Sequence, residues 1–196
     1  MKGNEHMKTL SNIVYGAFAL LASFALLPQA QAIVPAPDGD YPGHNTAEGQ
    51  NALFSLTTGT SNTANGYEAL KANTTGINNT AIGAQALVNN TGQYNTANGY
   101  QALFKNTTGN WNIAIGSDAL HDNITGRGNT AIGYQALTNN TGASWNTANG
   151  FQVLFKNTTG DLNTAIGGEA LFSNTTGYKE HGPRFSSPPA KHNRQL

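Results

Sequence analysis

The side chains able to do chemistry are few and poorly placed for catalysis. Beyond residue 32 there are four histidines, His44, His121, His181 and His192, and none falls at a metal-ligand spacing. Asp118, His121 and Asp122 form the densest group of ligand-type side chains, a small acidic or metal site at most. The simpler reading is polar substitution at solvent-facing positions. Glu68 and Glu169 occupy equivalent positions of distant repeats, too far apart for an acid/base pair. The serines lack a nucleophile-elbow motif, and the glycines recur at repeat spacing rather than in a phosphate-cradling loop. With no Cys, thiolate metal sites, Cys nucleophiles and disulfides are excluded. The expectation is a non-enzyme with no catalytic residue, metal or cofactor. One array remains: Thr46, Thr63, Thr80, Thr96, Thr130, Thr147 and Thr164 recur at the second position of successive repeats. Stacked about 4.8 Å apart, they would form a flat row of hydroxyl and methyl groups suited to ice or another ligand. Ile113 interrupts the row, and the strand segments that carry it contain no T-x-T tripeptide.

The elements that must position such an array are the repeats themselves. The unit N-T-A-x-G-x-x-A-L-x-x-N-T-T-G-x-x begins at Asn45, Asn62, Asn79, Asn95, Asn112, Asn129, Asn146 and Asn163. The fifth position is always Gly (Gly49, Gly66, Gly83, Gly99, Gly116, Gly133, Gly150 and Gly167). The ninth is always Leu (Leu53, Leu70, Leu87, Leu103, Leu120, Leu137, Leu154 and Leu171). Recurrence this strict means that the copies stack in register. A Gly, an Asn and another Gly interrupt every unit, which leaves no room for two packed helices. Two short strands and two turns fit instead, so each unit reads as one coil of a β-solenoid or one layer of an intertwined prism.

Finer expectations follow from the same columns. The Gly after Thr suits a left-handed backbone angle at a surface turn. The opening Asn belongs at the other turn, its amide bonding across copies. The third unit shortens its turn to Asn89-Asn90-Thr91-Gly92, and the sixth reads as losing a residue at Asn139–Gly142 and regaining one before Asn146. The interior is read as columns of Ala and Leu with occasional Ile (Ile82, Ile115, Ile132, Ile166). So thin a core favours association, through a second face carrying Phe54, Phe104, Phe155 and Phe172 with Tyr67, Tyr100, Tyr134 and Phe151 nearby.

Composition agrees with stacking. Charged residues make up 10% of the chain, with ten Lys+Arg against ten Asp+Glu, whereas a soluble domain typically has roughly 25%. A charged column would place like charges one strand spacing apart, whereas Asn and Thr can ladder without repulsion. Neutrality also argues against a nucleic-acid partner. Residues 1–32 read as a cleaved signal peptide: Lys2 and Lys8, an apolar run from Ile13 to Leu27, and Ala30-Gln31-Ala32 as the cleavage site. Residues 33–44 form a Pro-rich cap or linker, 45–179 the repeats, and 180–196 a disordered basic tail with no evident cap after Gly177. The expected product is exported, extracellular or at the cell surface with the periplasm as the other compartment, and without a membrane anchor of its own. Triplets such as Asn73-Thr74-Thr75 and Asn106-Thr107-Thr108 match N-glycosylation acceptors, though they recur simply because the turn recurs.

The segment N-T-A-I-G, as in Asn79–Gly83, Asn129–Gly133 and Asn163–Gly167, resembles the S-V-A-I-G repeats of trimeric autotransporter adhesin heads. The whole unit is similar to repeats of bacterial secreted and phage tail-fibre-like proteins. The resemblance spans Asn45 to about Lys179 and implies an all-β, left-handed β-roll packed or intertwined as a homotrimer. It implies a structural or adhesive role in surface display, with a glycan or other surface ligand as partner. The unit here is longer than the adhesin-head repeat, and coiled-coil heptads, an anchor barrel and an endosialidase-type chaperone do not follow it. The other expectation is a monomeric solenoid whose flat Thr-rich face binds ice or a ligand.

Overall fold

The computed structural model describes residues 43–182, which belong to the second of two units, Pro35–Leu196. Residues 1–32, read above as an export signal, most of the Pro-rich segment and most of the tail lie outside the described residues.

Each repeat supplies one three-residue strand: β1 (Thr46–Glu48), β2 (Thr63–Asn65), β3 (Thr80–Ile82), β4 (Thr96–Asn98), β5 (Ile113–Ile115), β6 (Thr130–Ile132), β7 (Thr147–Asn149) and β8 (Thr164–Ile166). They pair in parallel in chain order, so that Thr46 faces Thr63, Ala47 faces Ala64 and Glu48 faces Asn65. The shortened third unit keeps the register, with Thr80 opposite Thr96. The protein is thus an all-β solenoid. Among the described residues no helix is long and apolar enough to cross a membrane.

The expected second strand of each coil does not form. In its place come two consecutive turns, closed in the fourth coil by Ala102 N–H donating to Gly99 O (3.4 Å) and Asn106 N–H donating to Leu103 O (3.1 Å). The cause is backbone handedness. The fifth-position Gly has φ of 111–146°, the seventh residue 49–60° and the invariant Leu 49–55°. Three left-handed residues within five positions turn the chain before it can extend. Coil-to-coil bonding persists through the turns, with Leu103 N–H donating to Ala119 O (3.0 Å) and Lys105 N–H donating to His121 O (2.9 Å).

A left-handed conformation costs an ordinary residue roughly 1–2 kcal/mol. Burying a Leu side chain returns about 1.5–3 kcal/mol, and seven of the eight column leucines are buried, Leu171 being partly so. Burial therefore offsets the strain, and a β-branched residue, stiff at χ1 and disfavoured at positive φ, would upset the balance. We expect Leu103→Ile to lower stability by roughly 2–4 kcal/mol, more than Leu103→Met, which should stay under about 1.5 kcal/mol as a volume-conserving change. Denaturant midpoints of the two variants check the order; equal losses would contradict the strained column.

The interior holds the third- and eighth-position Ala columns and the Leu column, almost all fully buried in the central coils. Ile82, Ile115, Ile132 and Ile166, expected inside, are instead exposed at 36–46%. They occupy the fourth position, two residues from the Thr of the second, and so share its outward side of the pleat.

What fills the space is asparagine. The opening Asn of every coil from Asn45 to Asn163 is buried to at least 99%, so it bonds across copies as expected but inside the stack. In the fifth coil, Asn112 N–H and Nδ2 both donate to Asn95 Oδ1 (3.0 and 3.2 Å), and Nδ2 also donates to Gly126 O (2.8 Å). A second buried ladder runs through the twelfth position. Asn106 Nδ2 donates to Asn90 Oδ1 (2.7 Å), Asn123 Nδ2 to Asn106 Oδ1 (2.7 Å) and Asn140 Nδ2 to Asn123 Oδ1 (2.8 Å). The two ladders meet at the carbonyl of the turn glycine: Asn112 and Asn123 both donate to Gly126 O (2.8 and 3.1 Å). Leu56 takes the twelfth position in the first coil, so this ladder starts at Asn73. Asn73 Oδ1 has no partner there: in the shortened third coil Asn90 Nδ2 keeps its bond to the turn carbonyl, Gly92 O (3.0 Å), but does not reach back to Asn73.

The turn glycine is required for closeness, not handedness. None of Gly59, Gly76, Gly92, Gly109, Gly126, Gly160 or Gly177 has a positive φ. A Cβ on Gly59 would lie 2.5 Å from Gly76 O of the next coil, and the same encounter recurs along the column. In the sixth coil Ala143 occupies this position, accepting from Asn129 Nδ2 (2.8 Å) and Asn140 Nδ2 (3.0 Å). The sixth unit therefore neither loses nor regains a residue. The methyl of Ala143 needs room where every other coil has a hydrogen atom, and the next joint is looser. Asn157 Nδ2 lies 3.5 Å from Asn140 Oδ1, and among the described residues the bond from Asn146 Nδ2 to Gly160 O is missing.

The stack also ends differently from expectation. Glu180, His181 and Gly182 begin a ninth coil in the places of Asn, Thr and Ala. Thr164 N–H donates to Glu180 O (2.8 Å) and Glu180 N–H donates to Asn163 Oδ1 (2.9 Å), and β9 (His181–Gly182) pairs with β8. Glu180 has no side-chain Nδ2, so its backbone N–H alone reaches Asn163 Oδ1 and the amide-to-amide ladder goes no further among the described residues.

Candidate functional site: an uncharged strip with aromatic margins

Outside the core, exposed and buried positions alternate along the strand and one step beyond it on each side. The seventeenth position of one coil and the second, fourth and sixth of the next face solvent; the first and third between them are buried. In the middle of the stack these sets are Tyr94-Thr96-Asn98-Tyr100, Trp111-Ile113-Ile115-Ser117, Gly128-Thr130-Ile132-Tyr134 and Trp145-Thr147-Asn149-Phe151. From Ser61 to Gly168 these four columns contain no Asp, Glu, Lys or Arg. At ~4.8 Å per coil and ~6.7 Å per column, the seven coils span about 29 by 20 Å, close to 600 Å².

The two margins are aromatic. Along the seventeenth position Tyr94 stacks on Trp111, with centroids 6.2 Å apart and planes 13° from parallel. Trp145 lies back over Gly128, where a Cβ would sit 2.5 Å from Cζ3 of the indole, so only glycine admits this ring. Tyr94, Trp111 and Trp145 are exposed at 45, 53 and 55%, and the two tryptophans are the only ones in the chain. Along the sixth position Tyr67, Tyr100 and Tyr134 recur at every second coil, and Tyr134 stacks on Phe151 at 5.7 Å. Tryptophan this exposed is unusual, because the large apolar ring gains most from burial.

The threonine array lies within this strip. Thr46, Thr63, Thr80 and Thr96 are register partners on successive strands, and Ile113 follows Thr96 in the same row before Thr130, Thr147 and Thr164. The row beside it is irregular, with Asn65, Asn98 and Asn149 alternating with isoleucines. The Leu and Gly columns are structural. The aromatics expected on a single face separate into two: Phe54, Phe104, Phe155 and Phe172 stand at the tenth position, divided from the sixth-position rings by the buried eighth and ninth columns. There Phe155 stacks on Phe172 at 5.1 Å.

The other candidate groups resolve into local pairs. His121 Nδ1 is 2.6 Å from Asp122 Oδ1, which also takes Lys105 Nζ at 2.9 Å, while the imidazole stacks on Phe104 at 5.0 Å. Partial burial would raise the Asp122 carboxyl, but the hydrogen bonds and charges of Lys105 and His121 outweigh it and hold the group below the usual carboxylate range. Asp118 does not join them; its Oδ2 lies 3.5 Å from Ser117 Oγ. Among the described residues no three His, Asp or Glu side chains come together to hold a metal ion. Glu68 is paired with Lys71 (2.7 Å) and Gln85 (3.0 Å), with Glu169 six coils away in the same column, about 29 Å at the strand spacing. The side-chain nitrogens of Asn73 and Asn106 that a glycan would take are buried in the ladder.

The strip escapes a reading of the repeat as a consensus, because its aromatic columns vary from coil to coil; the segregation of charge was the signal available. Comparison with family models, with curated proteins and with solved structures gives no match to this chain.

Proposed function

We propose that the protein is an exported, non-enzymatic structural and adhesive repeat protein, its stack forming a rod or fibre segment that presents the uncharged strip to a surface. The observation that supports this reading is the strip itself. Its area is of the same order as the ~800 Å² that one partner contributes to a standard specific interface. Its periodic layout lets contacts that are weak per coil add along the rod as avidity. The tenth-position aromatics offer copies a separate place to meet, so a homotrimer through Phe54, Phe104 and Phe155 leaves the strip open. Light scattering of the mature chain tests the fibre reading: a mass of three chains supports it, and a monodisperse monomer at every concentration overturns it. The monomer result would favour the second reading, a solitary solenoid whose in-register threonines bind ice or another flat ligand, for which thermal hysteresis is the assay.

A further inference from the structure

We propose that the aromatic margins of the strip bind a neutral polysaccharide chain lying along the stack. The inference rests on the adhesive reading and names its ligand class. Three features point to sugar rather than to protein, lipid or a polyanion. First, the seven central coils of the strip carry no charge, so no salt bridge or phosphate contact is offered. Second, the exposed rings stand beside hydroxyl and amide columns. Tyr94, Trp111 and Trp145 flank Thr96, Thr147, Asn98 and Asn149, pairing π-faces for the C–H side of a pyranose with donors and acceptors for its hydroxyls. A lipid surface would call for a continuous apolar band or basic residues, and the strip has neither.

Third, ring placement is built in. Trp145 lies flat over Gly128 and keeps more than half its surface exposed, so one face of the indole is open to a ligand. Tyr94 and Trp111 are held by mutual stacking on left-handed corner residues, with φ of 57° at both. Rings ordered before binding lose little freedom when a rigid chain stacks on them.

Because both tryptophans lie on this margin, intrinsic fluorescence reports the site directly. The probes are a soluble neutral β-linked gluco-oligosaccharide, a neutral galactomannan, an α-glucan and the polyanion heparin. At least one neutral glycan should shift or quench the emission saturably, and heparin should not. Trp145→Ser and Trp111→Ser should each weaken binding at least tenfold, and Gly128→Ala, which displaces the Trp145 ring, should weaken it too. Phe54→Ser, off the strip, should leave it unchanged, with circular dichroism confirming that every variant stays folded. No response to any neutral glycan at millimolar concentration overturns the proposal, as does equal binding by the tryptophan variants. An emission shift that follows protein concentration instead of sugar assigns the strip to a second copy and also overturns it. The glycan responses and the tryptophan variants do not bear on the mass measured by light scattering, so the two readings fail separately.

Discussion

Replacing Asn112 by Leu is expected to lower stability by roughly 2–6 kcal/mol, four lost hydrogen bonds at about 0.5–1.5 kcal/mol each. The side chain donates to Asn95 Oδ1 and Gly126 O, and its Oδ1 accepts from Asn129 N–H (3.0 Å) and Nδ2 (3.2 Å). Leu is apolar and matches Asn in branching and number of side-chain heavy atoms, so no cavity is left and the counted cost comes from polar groups stranded in a dry interior. Asn129 N–H is the group left without an acceptor. The same change at Asn65, on the outward side of β2, should stay within about 0.5 kcal/mol. Asn112→Asp adds a pH dependence. Burial raises the folded carboxyl pKa above its unfolded value, so the neutral acid is tolerated at low pH and the deficit grows as pH rises past about 4. Urea midpoints of the three variants at two pH values check the set; a cost at Asn112 equal to that at Asn65 would remove the ladder from the account.

Gly116→Ala is the second large effect expected. With φ of 128°, Gly116 sits where L-residues are strained by about 1–3 kcal/mol. A Cβ would lie 2.6 Å from Gly133 O and 2.7 Å from its carbonyl carbon, both backbone atoms of the next coil, and overpacking of this kind adds about 1–3 kcal/mol. The total is roughly 2–6 kcal/mol, and it should appear as a lower melting temperature. Gly168 supplies the control. It has no positive φ, and no atom within 4 Å would meet its Cβ. Gly168→Ala should therefore be neutral or stabilising by up to about 1 kcal/mol, through the unfolded chain.

These positions also mark how far the sequence could be read. Invariant Ala, Gly and Leu at fixed spacing disclose a stack, because only equivalent environments keep one residue type in every copy. The same invariance conceals handedness: nothing in a Leu announces that Leu103 has φ of 55°, so the second strand was a reasonable but mistaken expectation. Ile82 and Ile115 misled for a related reason. Hydrophobic type suggests the interior, yet strand parity fixes the fourth position on the side of the outward Thr. The Asn columns were legible as ladders but not as core, since buried amides are affordable only when each partner is supplied by the coil above or below. Ala143 shows the limit of motif matching. The letters T-G slip by one residue in the sixth unit, while geometry keeps the turn carbonyl in place. Of the candidate strip, the Thr row is visible as a repeat. Trp111 and Trp145 are not, because the seventeenth position varies in every coil.

The central claim is that two asparagine ladders form the interior of the stack, and side-chain amide hydrogen exchange measured by NMR tests it most directly. Asn112 and Asn129 Nδ2 protons should exchange at least ~100-fold more slowly than those of Asn98 and Asn149, which stand on the exposed strip of the neighbouring coils, since exchange of a buried amide requires opening of the stack. Equal exchange rates in the two groups would contradict the account.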